Sequence, residues 1–164
     1  MIKKRRLDDR HALISTRHYP WRVSRPSRVY AHKVIIGVGG NVGDVLRRFE
    51  HLFWVLRRSP YIKIIQSAPI LKNPPFGFQY QPDFYNTLIV ISTTLTPMKL
   101  LKYLLHIEKR FHRRREFKDA PRTLDLDIIF YDDIQITSDR LTIPHPDWMH
   151  RDSVLIPLKY LKAR

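Results

Sequence analysis

The chain has no cysteine among its 164 residues, so it has neither a disulfide framework nor a thiolate metal site. It also lacks an apolar run that approaches the roughly 18 residues needed to span a bilayer, and its N-terminal segment lacks the apolar region of a secretory signal. Acidic residues are few, because 15 Asp and Glu stand against 30 Lys and Arg, a net charge of +15. The basic excess predicts a protein that attracts polyanions, either nucleic acid or a polyphosphate ligand. The missing cysteines alone indicate no compartment, and we expect a cytoplasmic location.

The length and the apolar fraction predict one domain with a basic leader. Forty-three per cent of the residues are hydrophobic, which is typical of a globular chain. Residues 1–32 carry nine basic and two acidic residues, and little apolar periodicity. We therefore expect a loosely ordered extension over residues 1–32 and the functional domain over residues 33–164. The leader is either a solvated basic surface or an organelle transit peptide, although Asp8 and Asp9 argue against the second.

The spacing of apolar residues predicts two amphipathic helices. One covers residues 44–58, and the other follows Thr96 and Pro97, which have the residue types of a helix start. Strands are expected at residues 34–36, 61–70, 84–93 and 121–131. This order predicts an α+β fold of the ferredoxin-like split βαβ type: an antiparallel sheet with helices packed on one face, followed by short C-terminal helices.

Two carboxylates, Asp125 and Asp127, stand one residue apart in a stretch with the composition of a buried strand. Alternate side chains of a strand share a face, so both point to one side, roughly 6.5–7 Å apart at the backbone, while Leu124, Leu126 and Ile128 point to the other. Parallel carboxylates repel unless a cation lies between them, and magnesium commonly bridges carboxylates and phosphates. The alternative is that both are solvent-facing residues on an open sheet.

Basic residues surround this acidic pair along the sequence. Arginine recognises phosphate by forked, bidentate hydrogen bonds, so cations around an acidic pair suit a metal-bound polyphosphate. Taken one by one, each arginine is more often a solvated surface residue, and the histidine, between two prolines, would be a turn residue. The flanking cations are Arg113, Arg114, Arg115, Arg122, Arg140, His145 and Arg151.

A second candidate surface is the loop between Asn73 and Asn86. Stacking faces together with a few amide hydrogen bonds would bind a planar heterocycle, whereas aromatic packing under a long loop is the plainer alternative. The aromatic side chains of this loop are Phe76, Phe78, Tyr80, Phe84 and Tyr85.

Three segments together resemble one known family. "NPPFGFQYQPDFYN", "PRTLDLDIIFYDD" and "RLTIPHPDWMHR" occur in this order, and they are similar to motifs of the 6-hydroxymethyl-7,8-dihydropterin pyrophosphokinases of folate biosynthesis. The resemblance runs from about Lys33 to Leu158. It implies a magnesium-dependent enzyme that transfers pyrophosphate from ATP to the hydroxymethyl group of the pterin and releases AMP.

The resemblance also implies roles for single residues. Asp125 and Asp127 match the pair that holds two magnesium ions, and Arg113 and Arg122 join them as catalytic residues. The positions that match nucleotide-binding residues are Glu108, Arg113, Arg115, Arg122, Ile128, Arg140, Thr142, His145 and Arg151. Those that match the pterin site are Asn41, Asn73, Pro74, Phe76, Phe84 and Asn86. The loop "HRRREFKDAP" is expected to act as a lid.

The resemblance further implies that ATP and the pterin are the partners, with neither nucleic acid nor a membrane, in a monomer or weak homodimer. The chain departs from the family at Ser153, where a phenylalanine that stacks on the pterin is common, and at Asp119, where a tryptophan is common. One face of the pterin is then either uncovered or covered from elsewhere, with Trp148 as a candidate.

Two rival functions remain open from the residues alone. A basic ferredoxin-like module that binds nucleic acid would carry basic and aromatic residues on the sheet face, where we instead expect two aspartates. Another two-metal phosphoryl or nucleotidyl transferase would use the same carboxylate pair and would differ in its products.

Overall fold

The computed structural model describes residues 1–24, 30–75, 77–114 and 116–162. Within these ranges the strands are β1 (Lys3–Arg6), β2 (Ala12–Ser15), β3 (Trp21–Arg22), β4 (His32–Gly40), β5 (Ile62–Ser67), β6 (Ile70–Asn73), β7 (Phe84–Thr93), β8 (Asp125–Tyr131), β9 (Ile136–Thr137) and β10 (Thr142–Ile143). The α-helices are α1 (Val45–Arg58), α2 (Pro97–Arg110) and α3 (Asp152–Leu158), and a 3-10 turn covers Trp148–His150. None of the helices in these ranges is both long and apolar enough to cross a membrane.

The strands β1 to β8 form one antiparallel sheet. Its path is β1-β2-β6-β7-β4-β8, with β5 paired to the other half of β7 and β3 paired to β5. The expected strand over residues 61–70 is therefore two strands, since the chain leaves the ladder after Ser67 and rejoins β7 at Leu71. The α+β prediction is confirmed, and the order β8-β4-β7-β5 is the one that a split βαβ arrangement requires.

The helices α1 and α2 pack on one face of this sheet and form the main core. The inner stripe of α1, from Phe49 to Leu56, is buried, and the Asp44 carboxylate caps its start by accepting from the Arg47 N–H at 3.2 Å. Thr96 precedes α2 as expected, but its side chain makes no capping hydrogen bond, so Pro97 marks this helix start.

The opposite face of the sheet is covered by α3. Ala68, Leu88, Ile129 and Val154 form a second, smaller apolar cluster there. The expectation of helices on a single face is therefore incomplete, because the short C-terminal helix shields the far face of β6 and β7. This second face also carries the open cleft described below.

The leader differs from the expected loose extension. Over the described residues 1–24 it forms β1, β2 and β3, and β2 pairs with β6 through Ala12 and Lys72. Leu13 and Ile14 are buried, and the hydroxyl of the fully buried Tyr19 donates to the Phe49 carbonyl at 2.8 Å. The short apolar run from Ala12 to Ile14 covers the edge of β6, because an unpaired edge strand exposes backbone hydrogen-bonding groups.

Candidate active site

A cleft of about 290 Å³ lies on the sheet face that α3 partly covers, with Gly37 and Gly39 of β4 in its lining. Side chains are excluded there, because a Cβ at Gly39 would lie only 2.6 Å from Oδ1 of Asn86. The volume is close to that of small-molecule sites. The side chains around these glycines therefore define what the cleft can bind.

Asp125 and Asp127 of β8 both line this cleft. Leu124, Leu126 and Ile128 are buried on the opposite side, so the predicted alternation along the strand is confirmed. The alternation continues to Ile129, which lines the cleft, and ends at Phe130, because the pairing with β4 shifts register there. The two carboxylates thus face the open side of the sheet from a strand whose other face is anchored in the core.

Two arginines hold Asp125. Nη1 of Arg113 lies 2.6 Å from its Oδ1, and Nη1 of Arg122 lies 3.1 Å from its Oδ2. The same Arg113 atom lies 2.9 Å from Oε2 of Glu108. Burial alone would lower the pKa of Arg113. The adjacent carboxylates of Asp125 and Glu108 outweigh this effect, so the pKa of Arg113 lies above its usual value. This end of the cleft is therefore a fixed network of charges.

Glu108 supports that network from behind. Its side chain is buried at the end of α2, and its Oε2 also accepts the Leu126 N–H at 2.7 Å. Glu108 does not line the cleft, so the structure gives it a positioning contact to β8 and Arg113. Its predicted role in binding nucleotide stays a prediction.

Asp127 lies in a strongly unfavourable environment for a negative charge. Burial, followed by the neighbouring carboxylates of Asp125 and Glu108, raises its pKa to about 7, against the opposing effect of Arg151 and Arg113. A divalent cation at this point would favour the ionised form. Among the described residues no group of three or more His, Cys, Asp or Glu side chains could hold a metal, so such an ion would need oxygen ligands from a substrate as well.

His145 and Arg151 line the same cleft from the C-terminal segment. The His145 N–H donates to the Ile129 carbonyl at 2.9 Å, which ties this segment to β8. Nδ1 of His145 accepts the Asp147 N–H at 3.2 Å, so the ring is oriented by its own turn. Burial and the adjacent Arg151 lower the pKa of His145, which favours its neutral form.

The other end of the cleft is lined by amides and an aromatic ring. Nδ2 of Asn86 donates to Oδ1 of Asn73 at 2.8 Å, and Pro74 and Phe84 lie beside them. Cζ of Arg122 lies 5.1 Å from the centroid of the Phe84 ring. Arg122 therefore contacts both the charged end, through Asp125, and the amide end, through Phe84.

The chain is similar to one family of known proteins. A family model described as 7,8-dihydro-6-hydroxymethylpterin-pyrophosphokinase matches residues 35–163. A 2-amino-4-hydroxy-6-hydroxymethyldihydropteridine pyrophosphokinase of Helicobacter pylori is 41% identical over 131 residues, which is 79% of this chain and 80% of that protein. One of the same name from Campylobacter jejuni is 38% identical over 143 residues, or 87% and 90% of the two chains.

The chain belongs to this family. The resemblance inferred from the three motifs is therefore confirmed, as is the prediction that the protein is an enzyme. A relative of the same name from Synechocystis is 41% identical over 127 residues, 77% of this chain and 65% of that protein. The basic leader, residues 1–32, lies outside the matched range of the family model, which begins at residue 35.

The structure brings many of the predicted site residues together in the cleft. Those that line it are Asn73, Pro74, Phe84, Asn86, Arg122, Asp125, Asp127, His145 and Arg151. Arg113 is linked to the cleft through its contact with Asp125. Arg122 also lines a second pocket, whose other lining residues belong to the expected lid. The site roles of all these residues stay predictions.

Other predicted residues lie away from this cleft. Ile128 is buried in the core, while Arg140 and Thr142 lie in the segment that forms the β9–β10 hairpin. Asn41 is buried, and its amide donates to Gln81 and Pro82 and accepts the Arg122 N–H at 3.0 Å. Asn41 therefore connects the loop at Gln81 and Pro82 to the backbone of Arg122. Phe76 and Arg115 lie outside the described residues.

The aromatic loop contributes less to the cleft than its composition suggests. Tyr80 is 90% exposed, and Phe78 lies edge-on to its ring. Phe78 also lies edge-on to Phe117 of the expected lid, which is itself 52% exposed. Trp148, the candidate for the missing face, instead packs against Phe130 with ring centroids 4.9 Å apart and does not line the cleft. Of the predicted aromatic residues in the described ranges, Phe84 lines the cleft.

Among the lining residues that sequence analysis missed are His150 and Asp152 of the C-terminal segment and Arg10 and His11 of the leader. Arg10 and His11 are the more unexpected pair. Nothing in their own spacing points to a site. The available signal was the apolar run from Ala12 to Ile14, which has the composition of a short strand but does not reveal the strand with which it pairs.

Proposed function

We propose that this protein transfers pyrophosphate from ATP to 6-hydroxymethyl-7,8-dihydropterin and releases AMP, as an enzyme of folate biosynthesis in the cytoplasm. The main support is the presence of two kinds of wall in one cleft. Paired carboxylates with arginines suit a triphosphate, and amides with an aromatic ring suit a planar heterocycle. The aspartates on the open sheet face argue against a nucleic-acid-binding surface.

Asp125 and Asp127 would hold magnesium, in the two-ion arrangement inferred from the resemblance. The fit rests on Asp127, whose raised pKa reflects a buried carboxyl next to like charges, the situation that a divalent cation relieves. Magnesium suits hard oxygen ligands and commonly completes its shell with substrate phosphates and water. When bound, it neutralises charge on the phosphate oxygens.

The arginines of the charged end would orient the triphosphate. Arg113 and Arg122 are held through Asp125 at 2.6 and 3.1 Å, so their remaining N–H groups point from fixed positions. Buried Nε of Arg113 has no hydrogen-bond partner in the described residues, which is the environment expected of a donor that awaits an anionic oxygen. Fixed donors of this kind stabilise spreading charge on the transferred group without reorganisation.

At the other end, Asn73, Phe84 and Asn86 would seat the pterin. The Asn86–Asn73 hydrogen bond fixes the orientation of both amides, which leaves their remaining donors and acceptors for the edge of a heterocycle. Phe84 offers a flat face within the same cleft. This arrangement would hold the hydroxymethyl group towards the charged end.

The reaction balances as a single displacement. The hydroxymethyl oxygen forms a bond to the β-phosphorus of ATP, while the bond from that phosphorus to the oxygen that bridges it to the α-phosphorus breaks. AMP leaves with the bridging oxygen, and the hydroxyl proton passes to solvent. Such a transfer depends chiefly on in-line positioning and on charge neutralisation, both of which the cleft residues would supply.

The test is to incubate the protein with ATP, magnesium and the reduced pterin, and to identify the products by chromatography and mass spectrometry. We expect AMP and the pterin diphosphate in equal amounts, with no AMP when the pterin is omitted. Release of ADP would instead indicate a different phosphoryl transferase. Salt-sensitive RNA binding without ATP turnover would indicate the nucleic-acid-binding alternative. A monomer or weak homodimer is expected on a sizing column.

A further inference from the structure

We propose that the N-terminal hairpin β1–β2 completes the pterin end of the cleft, with Arg10 contacting the heterocycle and His11 holding Arg10 in place. This inference rests on the proposed function. It assigns a substrate-binding role to a segment that lies outside the residues matched by the family model.

The position of the hairpin in the sheet places Arg10 at one particular end of the cleft. Ala12 of β2 pairs with Lys72 of β6, so residues 11 and 10 continue alongside Asn73 and Pro74. The sheet path β2-β6-β7-β4-β8 separates β2 from the aspartate strand by four strand spacings, or about 19 Å. Arg10 is therefore adjacent to the amide end and remote from Asp125 and Asp127.

The loop that carries Arg10 is ordered by Asp8. Oδ1 of Asp8 accepts the N–H of Arg10 at 2.7 Å and that of His11 at 2.8 Å, and the Leu7 N–H donates to the His11 carbonyl at 2.9 Å. The hydrogen bond from the His11 ring, followed by that from the Arg10 N–H, lowers the pKa of Asp8. A loop held in this way presents its side chains from a defined backbone.

His11 joins the loop to the opposite wall of the cleft. Its Nδ1 lies 2.9 Å from Oδ2 of Asp8, and its Nε2 lies 3.3 Å from Oδ2 of Asp152, the first residue of α3. The His11 side chain is only 12% exposed. Both ring nitrogens are therefore engaged by protein carboxylates, which makes His11 a positioning residue that links the hairpin to α3.

Arg10 has the chemistry to contact the bound heterocycle. It lines the cleft, and its guanidinium has no ion pair or hydrogen bond within the described residues, in contrast to Arg113 and Arg122. A guanidinium is planar, donates up to five hydrogen bonds and stacks on flat rings. A pterin offers a ring face together with carbonyl and ring-nitrogen acceptors. Ser153, which also lines the cleft, supplies no ring at this end.

The test compares Arg10→Ala with Arg5→Ala by steady-state kinetics of the full-length protein. Arg5 lies on the same hairpin, is exposed and contacts the hydroxyl of Tyr160 at 2.9 Å, so its removal changes the charge equally without affecting the cleft or the Asp8 loop. We expect Arg10→Ala to raise the KM for the pterin about 2- to 12-fold, the range for one hydrogen bond. The KM for ATP should stay within about twofold, and Arg5→Ala should change neither constant.

The role of His11 is tested by a double-mutant cycle. His11→Ala should raise the pterin KM with little change in kcat, and His11→Gln, which keeps one donor, should restore part of the loss. Because His11 acts through Arg10, the double variant should be no worse than Arg10→Ala alone. Additive effects would contradict the positioning role, and thermal denaturation of each variant identifies any general loss of stability.

The inference is overturned if Arg10→Ala and Arg5→Ala have the same pterin KM, or if Arg10→Ala raises the KM for ATP instead. These results would leave the proposed function intact, because the unmodified protein would still form AMP in a pterin-dependent manner. If the unmodified protein forms no pterin-dependent AMP, the proposed function and this inference fail together.

Discussion

The two ends of the cleft are built differently. At the β8 end, formal charges are locked into a network, with Arg113 and Arg122 on the two oxygens of Asp125. At the β6–β7 end, neutral groups such as Asn73, Phe84 and Asn86 provide hydrogen bonds and a ring face. Such a division suits a substrate pair in which one partner is a polyanion and the other a neutral heterocycle. A substitution at one end of the cleft should therefore change the kinetic constants of one substrate more than those of the other.

The largest effect is expected at Asp127. Asp127→Asn removes a negative oxygen from the proposed metal site, so kcat should fall at least about 10²- to 10³-fold, the scale seen when one stabilising group is lost from an active site. Asp133→Asn, at an exposed position beyond the end of β8, is the matched control and should retain activity. Turnover of Asp127→Asn near that of the control would contradict the metal role.

The same substitution should affect stability in the opposite direction when no metal is present. Burial first, then neighbouring carboxylates, raise the pKa of Asp127 from 3.8 to about 7, so the folded protein binds this proton more tightly than the unfolded chain does. Its contribution to the free energy of unfolding is complete below pH 3.8 and is lost as the pH rises through about 7.

The Asp127→Asn side chain carries no charge at any of these pH values, so the variant does not lose this part of the free energy of unfolding. With a chelator at pH 8, the melting temperature of the variant should therefore exceed that of the unmodified protein, by about 2–4 °C for each kcal/mol of free energy of unfolding gained. At pH 5 the difference should be smaller. Thermal denaturation at both pH values measures it, and added magnesium should raise the melting temperature of the unmodified protein more. A lower melting temperature for the variant at pH 8 with chelator would show that the carboxylate is not destabilising there.

Arg122 tests the boundary between the two ends, because it contacts both Asp125 and the Phe84 ring. Lysine keeps the charge but loses the fork and the flat face. Arg122→Lys should therefore lower kcat/KM for both substrates, by about 10- to 150-fold if a charged hydrogen bond is lost. Arg110→Lys, exposed at the end of α2, serves as the control. A defect confined to one substrate would argue that Arg122 belongs to one end alone.

Asn86 should affect the neutral end alone. Asn86→Ala breaks the 2.8 Å hydrogen bond to Asn73, and we expect the KM for the pterin to rise about 2- to 12-fold with the KM for ATP nearly unchanged. Gln135→Ala, an exposed amide in the turn before β9, is the control. Equal increases in both constants would show that the two ends are not separable in this way.

The smallest effect is expected from salt. A protein of net charge +15 attracts a polyanion through its general field, which is screened over about 8 Å at physiological ionic strength. Raising the salt concentration should increase the KM for ATP by a few-fold while the KM for the neutral pterin changes little. Kinetics over a salt series at fixed magnesium measure this, and parallel changes in both constants would contradict the division.

The same division explains how much could be predicted from the sequence. Asp125 and Asp127 lie two positions apart on one strand, so strand geometry alone predicts their common face. Arg122 precedes that strand, and its contact with Asp125 does not follow from the alternation. Asn73 and Asn86 meet only because β6 pairs with β7. The family resemblance assigned both to one site, but their hydrogen bond was not predicted. The fold class was predictable because the helices and most strands have clear periodicity.

The leader was not predictable on the same grounds. Its strands are two to four residues long, too short for periodicity to distinguish them from a loop, and their stability comes from pairing with β6 and β5. The placement of Arg10 and His11 in the cleft depends on that pairing. Long-range pairing of short edge strands is a tertiary effect that local sequence patterns do not encode.

The most direct test of the account is a crystal structure with magnesium, a non-hydrolysable ATP analogue and the pterin. We predict metal ions bound to the carboxylate oxygens of Asp125 and Asp127 and to the phosphate oxygens, with the heterocycle beside Asn73, Phe84 and Asn86. If the two carboxylates instead contact only water while the nucleotide binds elsewhere, the central claim is wrong.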